Sequence, residues 1–255
     1  MDKYCYEKPF EIKYRESDFN DFLKPSGALS FMEEVAGYSA EELGFGYNGY
    51  LKNKGYAFMI SSVAFTVRKQ IATGQTVNVK TWPTPPSYVV FGREYEFLSA
   101  TGETLLSASS RWCLIDLKTN KILSSKVLED QDYSKYHTEK ALEVERWKIP
   151  VFPKEEGVEK YNVLVANSEY DHNMHVNNTR YADFCMNCFS VAYLKQHSVK
   201  RFAVSYIKQC KEGDFLSFYL KEDGDCKYVQ GYNQLGELVV QTEIIFEKIT
   251  ENPRA

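Results

Sequence analysis

Apolar residues return at helical spacing from Ala28 onward, where Ala28, Phe31, Met32, Val35 and Ala36 share one face. Pro25-Ser26-Gly27 stands in front of them as a helix-start signal, so the spacing predicts a helix running to about Leu43. Before it, Phe10 to Tyr14 alternates apolar and polar and is read as a strand. After it, from Tyr56, the period drops to two. Ser61 to Arg68, Thr76 to Trp82, Gly92 to Leu98 and Thr104 to Asp116 are predicted strands rich in Val, Thr, Phe and Tyr. They are split by Ala72-Thr-Gly74, Pro83-Thr-Pro-Pro86 and Thr101-Gly102-Glu103. Gly44-Phe-Gly-Tyr-Asn-Gly49 spells G-x-G-x-x-G, but it follows a helix instead of a strand and is read as a helix C-cap and loop.

The order β-α-β-β-β-β then recurs. Asp18-Phe-Asn20 aligns with Asp171-His-Asn173 at an offset of 153 residues, Thr66 to Gly74 with Ser205 to Gly213 at 139, and Thr101-Gly102-Glu103 with Leu235-Gly236-Glu237 at 134. Shrinking offsets place the extra loops in the first copy, near Leu43 to Lys54 and Pro83 to Ser87. A helix followed by a meander of strands suggests an antiparallel sheet wrapped on the helix, an α+β plan present twice. The expected division is 1–123 for the first copy, 124–160 for a charged linker with room for a short helix, and 161–250 for the second copy.

At 255 residues, 44 % hydrophobic and 15 % aromatic, the chain can build a substantial core. Its net charge of −4 disfavours a nucleic-acid partner, which needs a surplus of Lys and Arg on at least one face. Met1 to Pro9 has no apolar signal region and no run approaches the roughly 18 apolar residues of a membrane span, so a soluble, cytoplasmic protein is expected. The six cysteines show no disulfide spacing, and Cys185-Met-Asn-Cys188 falls on the apolar stripe of a predicted helix, which favours buried thiols over zinc.

The densest chemistry lies in Glu169 to Tyr181. Asp171, Asn173 and His175 alternate with Tyr170, His172 and Met174, so in an extended segment a carboxylate, an amide and an imidazole project to one side. Asn177, Asn178 and Thr179 are cap-type residues. Behind them Tyr181, Phe184, Cys185, Cys188, Phe189, Ala192 and Tyr193 keep helical spacing, which puts a helix N-terminus next to the polar cluster. A capping and turn device accounts for such a composition equally well. At the corresponding positions the first copy carries Asp18, Asn20 and Phe22, so it lacks the imidazole. His172 and His175 stand at i, i+3 without an evident third ligand, and no metal or other cofactor is expected.

The string Asp-x-Asn-x-His-Val-Asn-Asn-x-Arg-Tyr over 171–181 resembles the signature of the acyl-acyl carrier protein thioesterases of plants and bacteria. Ser110-Arg-Trp-Cys-Leu-Ile-Asp-Leu-Lys-Thr-Asn-Lys121 is similar to that family's Trp-bearing strand and turn. Ser205-Tyr-Ile-Lys-Gln-Cys210 is similar to its Tyr-x-x-Glu-Cys strand, with Gln209 where the plant enzymes carry Glu. The resemblance spans roughly residues 4 to 250. It implies a tandem (double) hotdog, each half a long helix wrapped by a curled antiparallel sheet. With the imidazole present in the second copy alone, the catalytic set is expected there, and the aromatic load of the first copy (Phe31, Tyr38, Phe45, Tyr47, Tyr50, Tyr56, Phe58 and Phe65) suits an acyl pocket, with ordinary core packing the expected place of most of those side chains. The resemblance also implies hydrolysis of fatty acyl-acyl carrier protein to free fatty acid. An acyl-CoA thioesterase and a non-catalytic acyl sensor on the same fold are the alternatives.

For that reaction Asp171 is the candidate general base, or else a carboxylate nucleophile passing through an anhydride. His175 would orient water or the carboxylate and pass a proton to the departing thiolate. Asn173, with helix N–H groups, would donate to the developing oxyanion. Gln209 is a candidate for positioning water. Cys210 is the alternative to it in that positioning or supporting role; a papain-like reading would make Cys210 a nucleophile, but it falls in phase with Phe202, Val204 and Tyr206 on the apparent core face, so Gln209 is favoured. Carrier proteins of this type are acidic, so Arg180, Lys195, Lys200, Arg201, Lys208 and Lys211 are candidates for a docking patch. The oligomeric state stays open, a homodimer included.

Overall fold

The computed structural model describes residues 4–250 apart from 47–49, 129–130 and 172–173. The chain divides into two compact units, one of residues up to Lys13 with Leu29–Glu145, the other of Tyr14–Ala28 with the residues from Arg146 onward.

In the first unit the strands are β1 (Tyr6–Glu11), β2 (Tyr56–Val67), β3 (Thr76–Pro83), β4 (Phe91–Leu98), β5 (Thr104–Asp116) and β6 (Lys121–Leu123); its helices are α1 (Pro25–Glu42), whose first turn up to Ala28 belongs to the second unit, and the short α2 (Tyr50–Lys54). The strands pair antiparallel in the order β1-β3-β4-β5-β2, and β6 adds to β5. β1 begins earlier than the alternation suggests and stops before Tyr14, which lies in a 3-10 turn (Tyr14–Glu16) and is 85 % exposed. Pro9 is tolerated in β1 because it stands on an edge, where a missing N–H costs no ladder bond.

Proline at the first position of α1 fits, since its fixed φ suits a helix start and its absent N–H would be unpaired there anyway. The apolar face of α1 packs on the sheet, with the Phe31 ring 4.6 Å from that of Phe10 and 6.4 Å from that of Phe97. Val77, Val79, Phe97, Leu106 and Ala108 fill the layer beneath. α1 ends in a turn at Gly44, whose φ of +82° is open to glycine without strain, as expected of a C-cap. Three of the first copy's aromatics meet edge to face: Phe45 lies 6.1 Å from Phe58, and Phe58 lies 5.0 Å from Phe91. Tyr47 lies outside the described residues.

The stretch 124–160 contains three 3-10 turns (Ser125–Val127, Tyr133–Lys135, Lys154–Glu156) and is bonded to both units. In the first, the buried Glu94 carboxylate accepts from Ser109 Oγ at 2.8 Å, Lys140 Nζ at 3.1 Å and Ala141 N at 3.1 Å, and Trp82 Nε1 donates to Glu139 O. In the second, Arg146 donates to Tyr228 and Glu243.

The second unit holds β7 (Val158–Leu164), α3 (Asn178–Met186), α4 (Val191–Leu194), β8 (His197–Tyr206), β9 (Phe215–Asp223), β10 (Cys226–Tyr232) and β11 (Leu238–Lys248), with the antiparallel order β8-β11-β10-β9-β7. Phe184 on α3 meets Phe218 on β9 at 5.9 Å and Tyr161 on β7 at 6.4 Å. Gly231 makes that packing possible: a Cβ there would stand 2.6 Å from Phe218 Cε1 and 2.9 Å from Val240 Cγ1.

The single helix expected through Tyr193 is instead broken in two. Cys188 N and Phe189 N close on Cys185 O and Met186 O, a tightened last turn, and Ser190 then starts α4 as an N-cap whose Oγ accepts from Tyr193 N at 3.2 Å. The apolar spacing survives the break because Phe189 and Tyr193 both pack on Phe246, at 4.9 and 5.3 Å.

Candidate active site

Two loops of the second unit share one hydrogen-bonded frame, 153 residues apart. In the loop of the second copy, Tyr170 and Val176 form a β-bridge, Asp171 N donates to His175 O at 2.9 Å and Met174 N to Asp171 O at 3.1 Å. In that of the first copy, Ser17 bridges Leu23, Asp18 N donates to Phe22 O at 2.8 Å and Asp21 N to Asp18 O at 3.1 Å. Met174 and Asp21 both have φ of +62°. Each loop follows a 3-10 turn, Asn167–Glu169 or Tyr14–Glu16, and leads into α3 or α1. The internal duplication is therefore repeated in backbone detail.

These geometries correct the expectation of an extended segment with three side chains on one side. The chain turns back between Asp171 and His175 because the aspartate serves as the turn's own acceptor: its Oδ1 receives His175 N at 3.4 Å, as Asp18 Oδ1 receives Asn20 N at 2.8 Å and Phe22 N at 3.0 Å. The turn thus sets the Asp171 carboxylate beside the backbone of the residue that carries the imidazole. Asp171 is half-buried and His175 exposed; His172 and Asn173 lie outside the described residues. Asn177 caps α3, its Oδ1 accepting from Thr179 N at 2.8 Å and Thr179 Oγ1 at 2.7 Å.

β8 ends at Tyr206, so Gln209 and Cys210 lie in the following loop, not in a strand whose alternation would decide between them. That loop is tied to the Asp171 region. Glu212 N donates to Tyr170 Oη at 2.5 Å, and Cys210 N donates to Tyr181 Oη at 3.3 Å. Gln209 is exposed. Cys210 is buried, and burial pushes its thiol up, away from the thiolate a nucleophile requires. Cys210→Ala is accordingly expected to keep kcat within about threefold, whereas loss of a covalent nucleophile would cost several orders of magnitude. Burial also raises the Cys185 thiol, and that of Cys188 to about 12, in line with structural cysteines. Among the described residues no group of three or more His, Cys, Asp or Glu side chains is arranged to hold a metal.

Four of the six basic candidates are engaged within the unit. Arg180 pairs with Asp183 at 2.9 Å and Glu169 at 3.7 Å, Lys200 with Glu247 at 3.2 Å, Arg201 with Glu243 at 3.8 Å, and Lys208 with Glu237. Lys195 and Lys211 are exposed. Sequence reasoning passed over Glu169, Asp183 and Ser26. The offset of 153 residues could have singled out Glu169, because its counterpart Glu16 is also buried before the same turn.

The chain matches the family model of the acyl-ACP thioesterase N-terminal domain over residues 3–132 and that of the C-terminal domain over 153–248. Among solved structures it is similar to an acyl-ACP thioesterase from Bacteroides thetaiotaomicron, with a TM-score of 0.87 and 23 % identity over 97 % of this chain and 100 % of that one. It is also similar to the 12:0-ACP thioesterase from Umbellularia californica, with a TM-score of 0.86 and 16 % identity over 96 % and 98 %. Comparison with curated protein sequences gave no match. Among the described residues no helix is long and apolar enough to cross a membrane. A helix on an antiparallel sheet in each of two units, superposing on these structures along nearly the whole chain, makes the fold a tandem hotdog, and the chain belongs to the acyl-ACP thioesterase family and is a thioester hydrolase.

Proposed function

We propose that the substrate is a fatty acyl thioester of acyl carrier protein, hydrolysed to free fatty acid and the carrier's thiol, with the acyl chain held in the first copy. The turn from Asp171 to His175 supports this reading most, since it sets a carboxylate against the backbone of an exposed imidazole just before α3. Asp171 takes the proton of an attacking water, or itself attacks the thioester carbon and is released by water. Asn173 and N–H groups of α3 donate to the carbonyl oxygen as it becomes an oxyanion. When the tetrahedral intermediate collapses, the C–S bond breaks, and the proton taken from water passes from Asp171 through His175 to the leaving sulfur, which returns both groups to their starting states. A thiolate leaves readily, so a modest set of groups suffices.

The exposed Lys195 and Lys211 suit an acidic carrier better than the four cations already paired within the unit. The test is a comparison of carrier-protein and CoA thioesters of equal chain length. The carrier form is expected to show kcat/KM at least about tenfold higher, with the advantage shrinking as salt is raised and in Lys195→Glu and Lys211→Glu. Equal kcat/KM for both forms would favour an acyl-CoA thioesterase.

A further inference from the structure

The Asp171 loop is clamped at its stems in a way that its counterpart in the first copy is not. The backbone closure is common to both, Asn177 N donating to Glu169 O at 2.8 Å and Lys24 N to Glu16 O at 2.9 Å; what differs is the side chain of the buried Glu169, whose Oε2 accepts from Ala166 N at 3.0 Å and Oε1 from Ser168 Oγ at 3.1 Å. Arg180 in the first turn of α3 reaches back to Glu169 Oε1 at 3.7 Å and forward to Asp183 Oδ2 at 2.9 Å. Asp183 Oδ1 in turn accepts from Ser26 Oγ at 2.6 Å, and Ser26 is buried in the first turn of α1. A second tie runs alongside, from Asn20 Nδ2 to Leu194 O at 2.7 Å.

In the first copy the positions of Arg180 and Asp183 are occupied by Gly27 and Ser30. There Glu16 is also buried, yet its carboxylate pairs with its exposed neighbour Arg15, and among the described residues Oε2 has no hydrogen-bond partner. At Gly27 a side chain would not fit, since a Cβ would stand 2.6 Å from Glu16 O. Among the described residues the relay of charged groups is built around the loop that carries an imidazole and not around its counterpart.

We propose that Ser26, Asp183 and Arg180 are positioning residues for hydrolysis: the loop segment of the first copy, having no imidazole of its own, holds the α3 end of the Asp171 loop in place through Ser26. The proposal rests on the reading of Asp171 and His175 as catalytic. Arg180 holds both stems at once, Asp183 orients its guanidinium, and Ser26 fixes Asp183. Small displacements of a reacting group lower the chemical step without weakening substrate binding.

The test measures kcat, KM and thermal midpoint for Ser26→Ala, Arg180→Lys and their double variant on an acyl-carrier thioester, with Asp171→Asn alongside. Each single variant is expected to lower kcat about tenfold, as a misplaced catalytic group would, with KM within about twofold. The double variant is expected to be no slower than the slower single one, because the two act in series. Unchanged kcat in both singles, or losses that multiply in the double, would overturn the relay, and so would a raised KM at constant kcat. Arg180 is partly exposed, so Arg180→Lys keeps the question open to measurement if Ser26→Ala fails to fold. Full activity in Asp171→Asn would remove the catalytic reading and the relay with it. An inactive Asp171→Asn beside a fully active Ser26→Ala and Arg180→Lys would remove the relay alone.

Discussion

Asp171→Asn is expected to lower kcat by roughly 10²- to 10⁴-fold, the usual span for loss of a positioned acid-base group, while leaving the thermal midpoint close to that of the parent. The amide keeps an oxygen where Oδ1 accepts the His175 N–H at 3.4 Å, so the turn persists and only the charge is removed. Asp171→Ala removes the acceptor as well and should lower both activity and local order. Asp18→Asn is the matched control. Asp18 holds the same place in a loop of the same geometry, but Phe22 stands where the imidazole would be. Burial pushes the Asp18 carboxyl above its usual value, outweighing the Phe22 and Asn20 N–H groups that favour the charged form. For an acid raised on folding, the charged form costs stability above the folded pKa, and that cost fades as pH falls through it. Asp18→Asn should therefore hold or raise the thermal midpoint near neutral pH and change kcat less than about twofold. A large loss of kcat in Asp18→Asn, equal to that in Asp171→Asn, would mean that the loss reports the charge of a turn aspartate in either loop and not acid-base chemistry beside His175.

Phe218→Ala should be the most damaging single truncation in the second unit. The ring is fully buried, 5.9 Å from both Phe184 and Tyr161, and Gly231 leaves it the space a Cβ would occupy. Removing a buried phenyl ring costs about 3–5 kcal/mol, the lost transfer energy plus the void left behind. Set against a total of roughly 5–15 kcal/mol, this would lower the thermal midpoint by about 10 °C. Activity should fall at a lower temperature than in the parent, because the ring anchors α3 through Phe184 and the Asp171 loop opens directly into α3. Denaturant unfolding with a change under about 1 kcal/mol would show that the site collapses without cost and that Phe184 does not depend on this ring.

The elements with strong periodicity were legible. β5 runs over Thr104–Asp116 and α1 starts at Pro25, both as the hydrophobic pattern indicates, because apolar burial in those segments agrees with local propensity. The duplication was legible from Asp18-x-Asn20 and Asp171-x-Asn173, and it proved to extend to two residues, Asp21 and Met174, with identical left-handed backbone. Alternation in 171–175 was misleading, because short-range hydrogen bonds from an aspartate compete with extended structure and nothing in a period-two pattern reports them. The break after α3 escaped notice since Phe189 and Tyr193 keep the apolar spacing across it and only the Ser190 cap betrays a new start. Gln209 and Cys210 fell beyond β8 because the strand ends at Tyr206, where its pairing with β11 stops at Val240. The contact of Ser26 with Asp183 spans 157 residues, and no local signal announces it.

Single-turnover release of free fatty acid from acyl-carrier thioester, with enzyme in excess and binding saturated, reads the chemical step alone. For parent and Asp171→Asn measured side by side, binding should be matched while release in the variant is slower by at least about a hundredfold. Equal single-turnover rates in the two proteins would contradict a catalytic role for the Asp171 to His175 turn.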